Sequence, residues 1–293
     1  VRRAVHFIVN YSLDGHPAPY TQQERWENQS GYSPATIASE IAALVCAARI
    51  AKANGANVRA HYYLGTADRW QAAVDRWTAT STGPYSPKPY YLRLTKDGNP
   101  NAGTTYALGD SSFSAVDQRA VVDPSFLDLV RLGVKPAHDQ VVENTVAVVD
   151  AHLAVHTANG TFWHRYTGDG YGERRDGRPW DIGFPDNSRT TIGRAWPIFA
   201  GERGEYELLA GGTPGFRLAS MARAANNSYL LPEQVWDHNG PSGSDGFVPG
   251  EPTFSATPLG WTHAQFVRLA WSIAAGHPVE TPRVVACRYA EHC

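Results

Sequence analysis

Apolar positions recur along this chain at helical spacing. Ile37, Ile41, Leu44, Val45 and Ala48 stand at i, i+4, i+7, i+8 and i+11, which predicts an amphipathic helix. Ser33-Pro34 supplies an N-cap followed by Pro at the first helical position, and Asn54-Gly55 a left-handed stop. A second helix carrying Tyr62, Trp70, Ala73, Val74 and Trp77 toward the same side completes an αα-hairpin. Asp123-Pro124 caps a third helix that runs to Leu132-Gly133. A fourth runs from Gln140 to Val155 and presents Val141, Val142, Val146, Val149 and Leu153. Thr262 with Gln265 reads as a capping box for a helix ending at Gly276, two residues before Pro278. Val1 to Tyr11 is already helical in pattern, with Val5, Ile8 and Val9 apolar, so the chain reads as the later part of something larger.

Long loops separate these helices. Tyr90 to Leu94 and Thr104 to Leu108 predict a small β-excursion across the turn segment DGNPNAG. Gly-, Pro- and Trp-rich tracts run from Thr161 to Trp196 and from Asp237 to Pro258, and loops of that length are usually functional. Stacked helical hairpins with elaborated loops on one end make an all-α solenoid or a closed α/α toroid. With 42% hydrophobic and 18% charged residues the chain is an ordinary folded globule, which rules out disorder. Lys+Arg 26 against Asp+Glu 28 leaves a net charge of −2 and no polybasic surface, so nucleic acid and anionic membranes are poor partners. No eighteen apolar residues run uninterrupted, which predicts no transmembrane segment, and Val1-Arg2-Arg3 has no signal-peptide h-region behind it. Cys46 falls on an apolar helix face as a small hydrophobe; Cys287 and Cys293 are either a closed loop or free thiols. The aromatics (Trp 9, Tyr 14, Phe 10) concentrate in loops, where they either cap cores or line sites that stack sugars or bases.

Three segments hold candidate chemistry. QQERWENQSGYSP (22–34) places Glu24 and Glu27 beside Trp26 on the loop before a capped helix. A carboxyl packed on an indole is desolvated, which raises its pKa and suits it to donate a proton; the plainer reading is a solvated loop whose acids pair with Arg25. LLPEQVWD (230–237) sets Glu233 and Asp237 around Trp236, or is simply a helix start with surface acids. GRAWP (193–197) leads to GERGEYE, where Arg194 either forks onto hydroxyls or a carboxylate or pairs with nearby glutamates. Two acid–Trp loops on one rim of a toroid are the apparatus of glycoside hydrolysis. Competing motifs fail. His152 and His156 lack the Glu of a metalloprotease pair, and Gly109-Asp110-Ser111 lacks the hydrolase elbow. Gly168 to Gly172 has no following helix to cradle phosphate, and the sequons at Asn10, Asn28, Asn159 and Asn226 matter only in a glycosylating source.

ERWENQSGYSPATIASEIAALVCAA, GRAWPIFAGERGEYEL, LLPEQVWD and ATPLGWTHAQFVRL resemble, in order, the signature blocks of the bacterial glucoamylase and glucodextranase family, glycoside hydrolase family 15. The resemblance implies that residues 1–289 are the carboxyl-side portion of an (α/α)6 barrel, a toroid of helical hairpins with loops and small β-excursions at the active-site end, and 290–293 a tail. It implies exo-hydrolysis of α-glucans from non-reducing ends with inversion to β-glucose. Glu27, directly after Trp26, matches the general acid and Glu233 the general base, with a separation of roughly 6.5–9.5 Å for an inverting pair. Glu24 would help hold the acid's proton by like-charge repulsion. Backbone carbonyls at Arg25 and Trp26, with Arg194, would hold sugar hydroxyls, and Trp180 and Trp196 would stack. Asn28 departs from the second Glu of many relatives. The family's earlier barrel helices, with an Arg-Asp pair for the terminal glucose, have no counterpart, so the missing amino-terminal part of the same protein is an expected partner. The substrate is an α-1,4 or α-1,6 glucan, and WENQSGYSP leans toward the glucodextranase type. A trehalase or glucosyl-transferring relative and a non-catalytic glucan-binding scaffold are the alternatives. No cofactor is required, calcium enters by resemblance alone with no metal ligand assigned, and a polymeric substrate implies secretion.

Overall fold

The structure is a computed structural model that describes residues 1–110, 115–174, 191–240 and 246–290. Its α-helices are α1 (Arg2–Asn10), α2 (Pro34–Ala53), α3 (Asn57–Gln71), α4 (Val74–Thr78), α5 (Asp128–Arg131), α6 (Gln140–Leu153), α7 (Ile198–Leu209), α8 (Gly215–Arg223), α9 (Gly260–Ala275) and α10 (Arg283–Tyr289). Only two-stranded sheets accompany them among the described residues. The chain divides into two compact units. The first comprises Val1–Tyr106, Asp117–Val148 and Glu280–Cys293; the second comprises Ala107–Val116 and Val149–Val279.

The first unit is built on α2. Ser33 is its extended N-cap, Pro34 opens it, and Gly55 at φ 71° turns the chain out. Ile37, Ile41 and Leu44 are fully buried, each contributing about 1.5–3 kcal/mol by leaving water. α2 is long and apolar enough to cross a membrane, with a mean hydropathy of 1.4. Its apolar face packs on α3, with α5 and α10 also against it, as a core helix does. The second predicted helix breaks into α3 and α4, and Tyr63 rather than Tyr62 points inward. The third is a 3₁₀ segment, Pro124–Leu127, continued by α5, because the Asp123 carboxylate captures the Ser125 amide in a tight first turn. Gly133 follows at φ 74°, where a Cβ would lie 2.7 Å from the Ala286 nitrogen, so only glycine permits α10 to come this close. Tyr90–Tyr91 pairs with Ala79–Thr80, not with the segment beyond the DGNPNAG turn. Cys287 is half-buried in α10, Cys46 is half-buried in α2, and Cys293 lies outside the described residues.

In the second unit α7, α8 and α9 pack on one another, with the hairpin Ala154–Thr157/Gly160–Trp163 against α8 and α7. α6 therefore stops at Leu153, short of Val155: β-branched residues flanking Asn159-Gly160 favour the hairpin. The predicted capping box does not form. Leu259 is the N-cap of α9; Thr262 donates to the Pro232 carbonyl (2.9 Å), and Gln265 donates to buried Glu205 (3.2 Å), which also binds Arg268 (2.9 Å). Tertiary acceptors outcompete the local cap.

Candidate active site

In the first unit, reciprocal hydrogen bonds between Thr21 and Gly31 (2.9 and 3.0 Å) close the loop 22–30 just before α2. Inside it Glu24 N–H donates to the Gln29 carbonyl (2.8 Å) and Glu27 N–H to the Glu24 carbonyl (2.9 Å). This tight turn puts Glu27 in the left-handed region at φ 60°, with its side chain exposed. A non-glycine residue held there marks a geometry imposed by its surroundings, a feature that clusters at functional sites.

Those surroundings are buried and polar. The Glu24 carboxylate accepts from the Trp26 amide (3.1 Å) and from Arg93 Nη2 (2.9 Å). Arg93 also donates to Asn28 Oδ1. The Trp26 indole N–H donates to Asp123 Oδ2 (2.6 Å), and the Arg25 guanidinium lies over the indole, 5.0 Å from its centroid. Lys96 ties Gln29 Oε1 (2.8 Å) and the Ser30 carbonyl (2.7 Å). Burial, then the Glu24 charge, pushes the Asp123 carboxyl up to about 6, and burial with nearby Arg93 brings Lys96 down to about 8.

Two expectations change here. The carboxyl that meets the indole is Asp123, not Glu27, because a buried indole N–H requires an acceptor. Glu24 is not a bare like charge beside Glu27; it is ion-paired with Arg93.

In the second unit Glu233 sits on an extended segment, its N–H donating to the Ala256 carbonyl (2.9 Å), while Val235 bridges Ala195 and Pro252. LLPEQVWD is thus extended rather than a helix start. Gln234 Nε2 reaches both Glu233 Oε1 and the Tyr171 carbonyl, each at 3.1 Å, and Gln234 Oε1 accepts from the Arg194 amide (2.9 Å). Burial pushes the Glu233 carboxyl above the ordinary range; donation from Gln234 and the Arg165 charge offset part of this. Tyr171 is pushed up to about 12, by burial and then by Glu233.

Arg194 is fully buried, binding Asp237 Oδ1 (2.7 Å) and the Asn239 carbonyl (3.1 Å). Its Nη1 fastens the chain after Glu233, while its buried Nε and Nη2 have no hydrogen-bond partner among the described residues. Neither does it pair with the glutamates of GERGEYE. Trp196 is buried, with Arg165 over its ring and Tyr171 tilted against it at 6.3 Å. Trp180 lies outside the described residues. Among the described residues no three His, Cys, Asp or Glu side chains group to hold a metal.

Arg165 is the residue that sequence reasoning missed. It pairs bidentately with Asp169 (2.7 and 2.8 Å), reaches Asp110 (3.1 Å) and lies 4.5 Å over Tyr171. The signal was present in HRYTGDGYGE, an Arg with an acid four residues on and tyrosines between and after. Because Arg165 lowers the Glu233 pKa against burial, replacing it with Met should move the acid limb of kcat/KM to higher pH. The parent limb should already lie above that of an ordinary glutamate, with activity lost as pH falls through it. An unchanged limb in a pH–rate profile of the variant would contradict this reading.

The profile of Glycosyl hydrolases family 15 matches residues 17–271. The chain belongs to that family. It is 40% identical over 277 residues to a glucoamylase of Clostridium sp. (strain G0005), covering 92% of this chain and 36% of that protein. A solved bacterial glucoamylase complexed with acarbose is similar at a TM-score of 0.85 and 38% identity, covering 98% of this chain and 39% of the other. The family 15 glucoamylase from Hypocrea jecorina shares the fold, with a TM-score of 0.58 at 16% identity over 95% of this chain and 47% of its own. The fold class is therefore all-α, of the family's α/α-barrel type. This chain spans little more than a third of the length of the bacterial relatives.

Proposed function

We propose that the protein containing this chain is an inverting, exo-acting α-glucan hydrolase that releases β-D-glucose from non-reducing ends. Glu27 is its general acid and Glu233 its general base. The observation that carries the reading is Glu27 itself: an exposed carboxyl at the left-handed tip of a loop whose neighbours are locked by a buried ion pair and buried hydrogen bonds. It directly follows Trp26, where the family resemblance places the acid. Glu27 gives its proton to the leaving glycosidic oxygen. Glu233 takes one from the water that attacks the anomeric carbon on the opposite face, so the product inverts. Glu233 suits the second role because Gln234 orients its carboxylate and Arg165 favours its ionised form.

The two relatives at 38–40% identity are both named glucoamylase, which supports α-1,4 over α-1,6 linkage. Acarbose bound in one of them supports an oligosaccharide substrate here. The rest of the polypeptide supplies the remaining barrel helices and the grip on the terminal glucose. No metal takes part, and the enzyme acts outside the cell on polymeric substrate.

The test is glucose release from maltotriose and isomaltotriose by the full-length protein, with the first-formed anomer read by NMR. Initial β-glucose, faster from maltotriose, is expected. Initial α-glucose would sink the inverting assignment, and faster release from isomaltotriose would transfer it to the glucodextranase type. Binding without release would favour a glucan-binding scaffold.

A further inference from the structure

Asp123 stands almost a hundred residues beyond the loop it touches, and no part of the mechanism above uses it. It is buried, and its carboxylate is engaged by Trp26 and Ser125. Oδ2 accepts the Trp26 indole N–H at 2.6 Å; Oδ1 accepts the Ser125 amide, also at 2.6 Å, at the start of the 3₁₀ segment Pro124–Leu127. Arg25, on the other side of the indole, reaches Ser125 Oγ (3.5 Å). Both residues that precede Glu27 are therefore fastened to the 123–125 turn. The remaining flanks of the loop are fastened by Arg93 through Glu24 and Asn28.

We infer that Asp123 is a positioning residue for the general acid: by gripping the Trp26 indole it fixes the turn that presents Glu27. The inference rests on the assignment of Glu27 proposed above. The Glu27 side chain is exposed, and its left-handed backbone is held by hydrogen bonds within the loop, to the Glu24 carbonyl (2.9 Å) and from Gln23 Nε2 (3.0 Å). Its placement is inherited from residue 26, and a proton donor displaced by a fraction of an ångström loses rate far more than affinity. The charged and titratable groups around Asp123 are Glu24, Arg93 and Tyr106. Burial, then the Glu24 charge, raises the Asp123 pKa to about 6, and Arg93 offsets part of this. A carboxylate kept in such surroundings has to be held by its hydrogen bonds.

The experiment is a double-mutant cycle in the full-length protein: Asp123→Ala, Trp26→Phe and the pair, with Asp123→Asn as the near-isosteric variant. Initial rates on maltotriose are expressed per folded molecule, the folded fraction being read by circular dichroism. Asp123→Ala should lower kcat about ten-fold or more while KM changes less than about three-fold. Asp123→Asn retains one acceptor and should fall between Asp123→Ala and the parent. Once the indole N–H is gone Asp123 keeps only its hold on the 123–125 turn, so the loss in the double variant should be clearly smaller than the product of the two single losses. Losses that multiply, or an unchanged kcat in both Asp123 variants, would overturn the inference. Glu27→Gln in the same series separates the two claims. Activity that survives it removes the acid assignment and the positioning role together; activity that vanishes while Asp123→Ala stays normal removes the positioning role alone.

Discussion

Glu27→Gln and Glu233→Gln, each in the full-length protein, should lower glucose release from maltotriose by roughly 10²–10⁴-fold, mainly in kcat. Glutamine keeps the shape of the side chain and removes only the transferable proton or the basic lone pair, so folding should be unaffected. The two losses have different causes, and an activated substrate separates them. α-Glucosyl fluoride leaves without protonation, so Glu27→Gln should recover much of its rate on that substrate. The Glu233→Gln variant should stay slow, because water still needs a base. Its acceptor-only carboxylate becomes an amide facing the Gln234 amide, which also costs the orientation of the group. Rescue of Glu233→Gln alone would mean that acid and base are interchanged, and equal behaviour of both variants on the fluoride that the pair is misassigned.

The second large effect is on stability. Arg93→Met should destabilise the protein by about 3–5 kcal/mol, because it leaves the Glu24 carboxylate buried without its counter-charge. Asp123, also buried, loses the same cation and should be pushed further above 6. The double variant Arg93→Met/Glu24→Gln should recover most of the loss, since a neutral amide tolerates burial far better than an unpaired charge. Urea unfolding midpoints of the three proteins measure this. A single variant within about 1 kcal/mol of the parent would place Glu24 and Arg93 among weakly coupled surface pairs, contrary to their burial.

Much of the helical framework was legible because it depends on local spacing. α2 begins at Pro34 and ends before Asn54-Gly55, as the cap signals predict. Illegible features involved a partner distant in sequence. Thr262 and Gln265 have the spacing of a capping box, yet Pro232 and Glu205 claim their side chains. Tyr90–Tyr91 alternates like a hairpin strand, yet its partner is Ala79–Thr80. Arg194 stands near the glutamates of GERGEYE in sequence, yet its Nη1 pairs with Asp237, forty-three residues on. Arg165 carried its own local signal in Asp169, but what makes it matter is its effect on Glu233, 68 residues away.

By itself the sequence determined the all-α class, the family and the two acid–Trp blocks that hold Glu27 and Glu233, because those follow from periodicity and from short contiguous motifs. Tertiary structure alone decided the electrical surroundings of each of the two segments. It turned Glu24 into the buried partner of Arg93, gave the Trp26 indole to Asp123 rather than to Glu27, and set Arg165 against the burial of Glu233. Charges in a low-dielectric interior act on whatever the fold brings near, and that neighbourhood is not written in the spacing of residues along the chain.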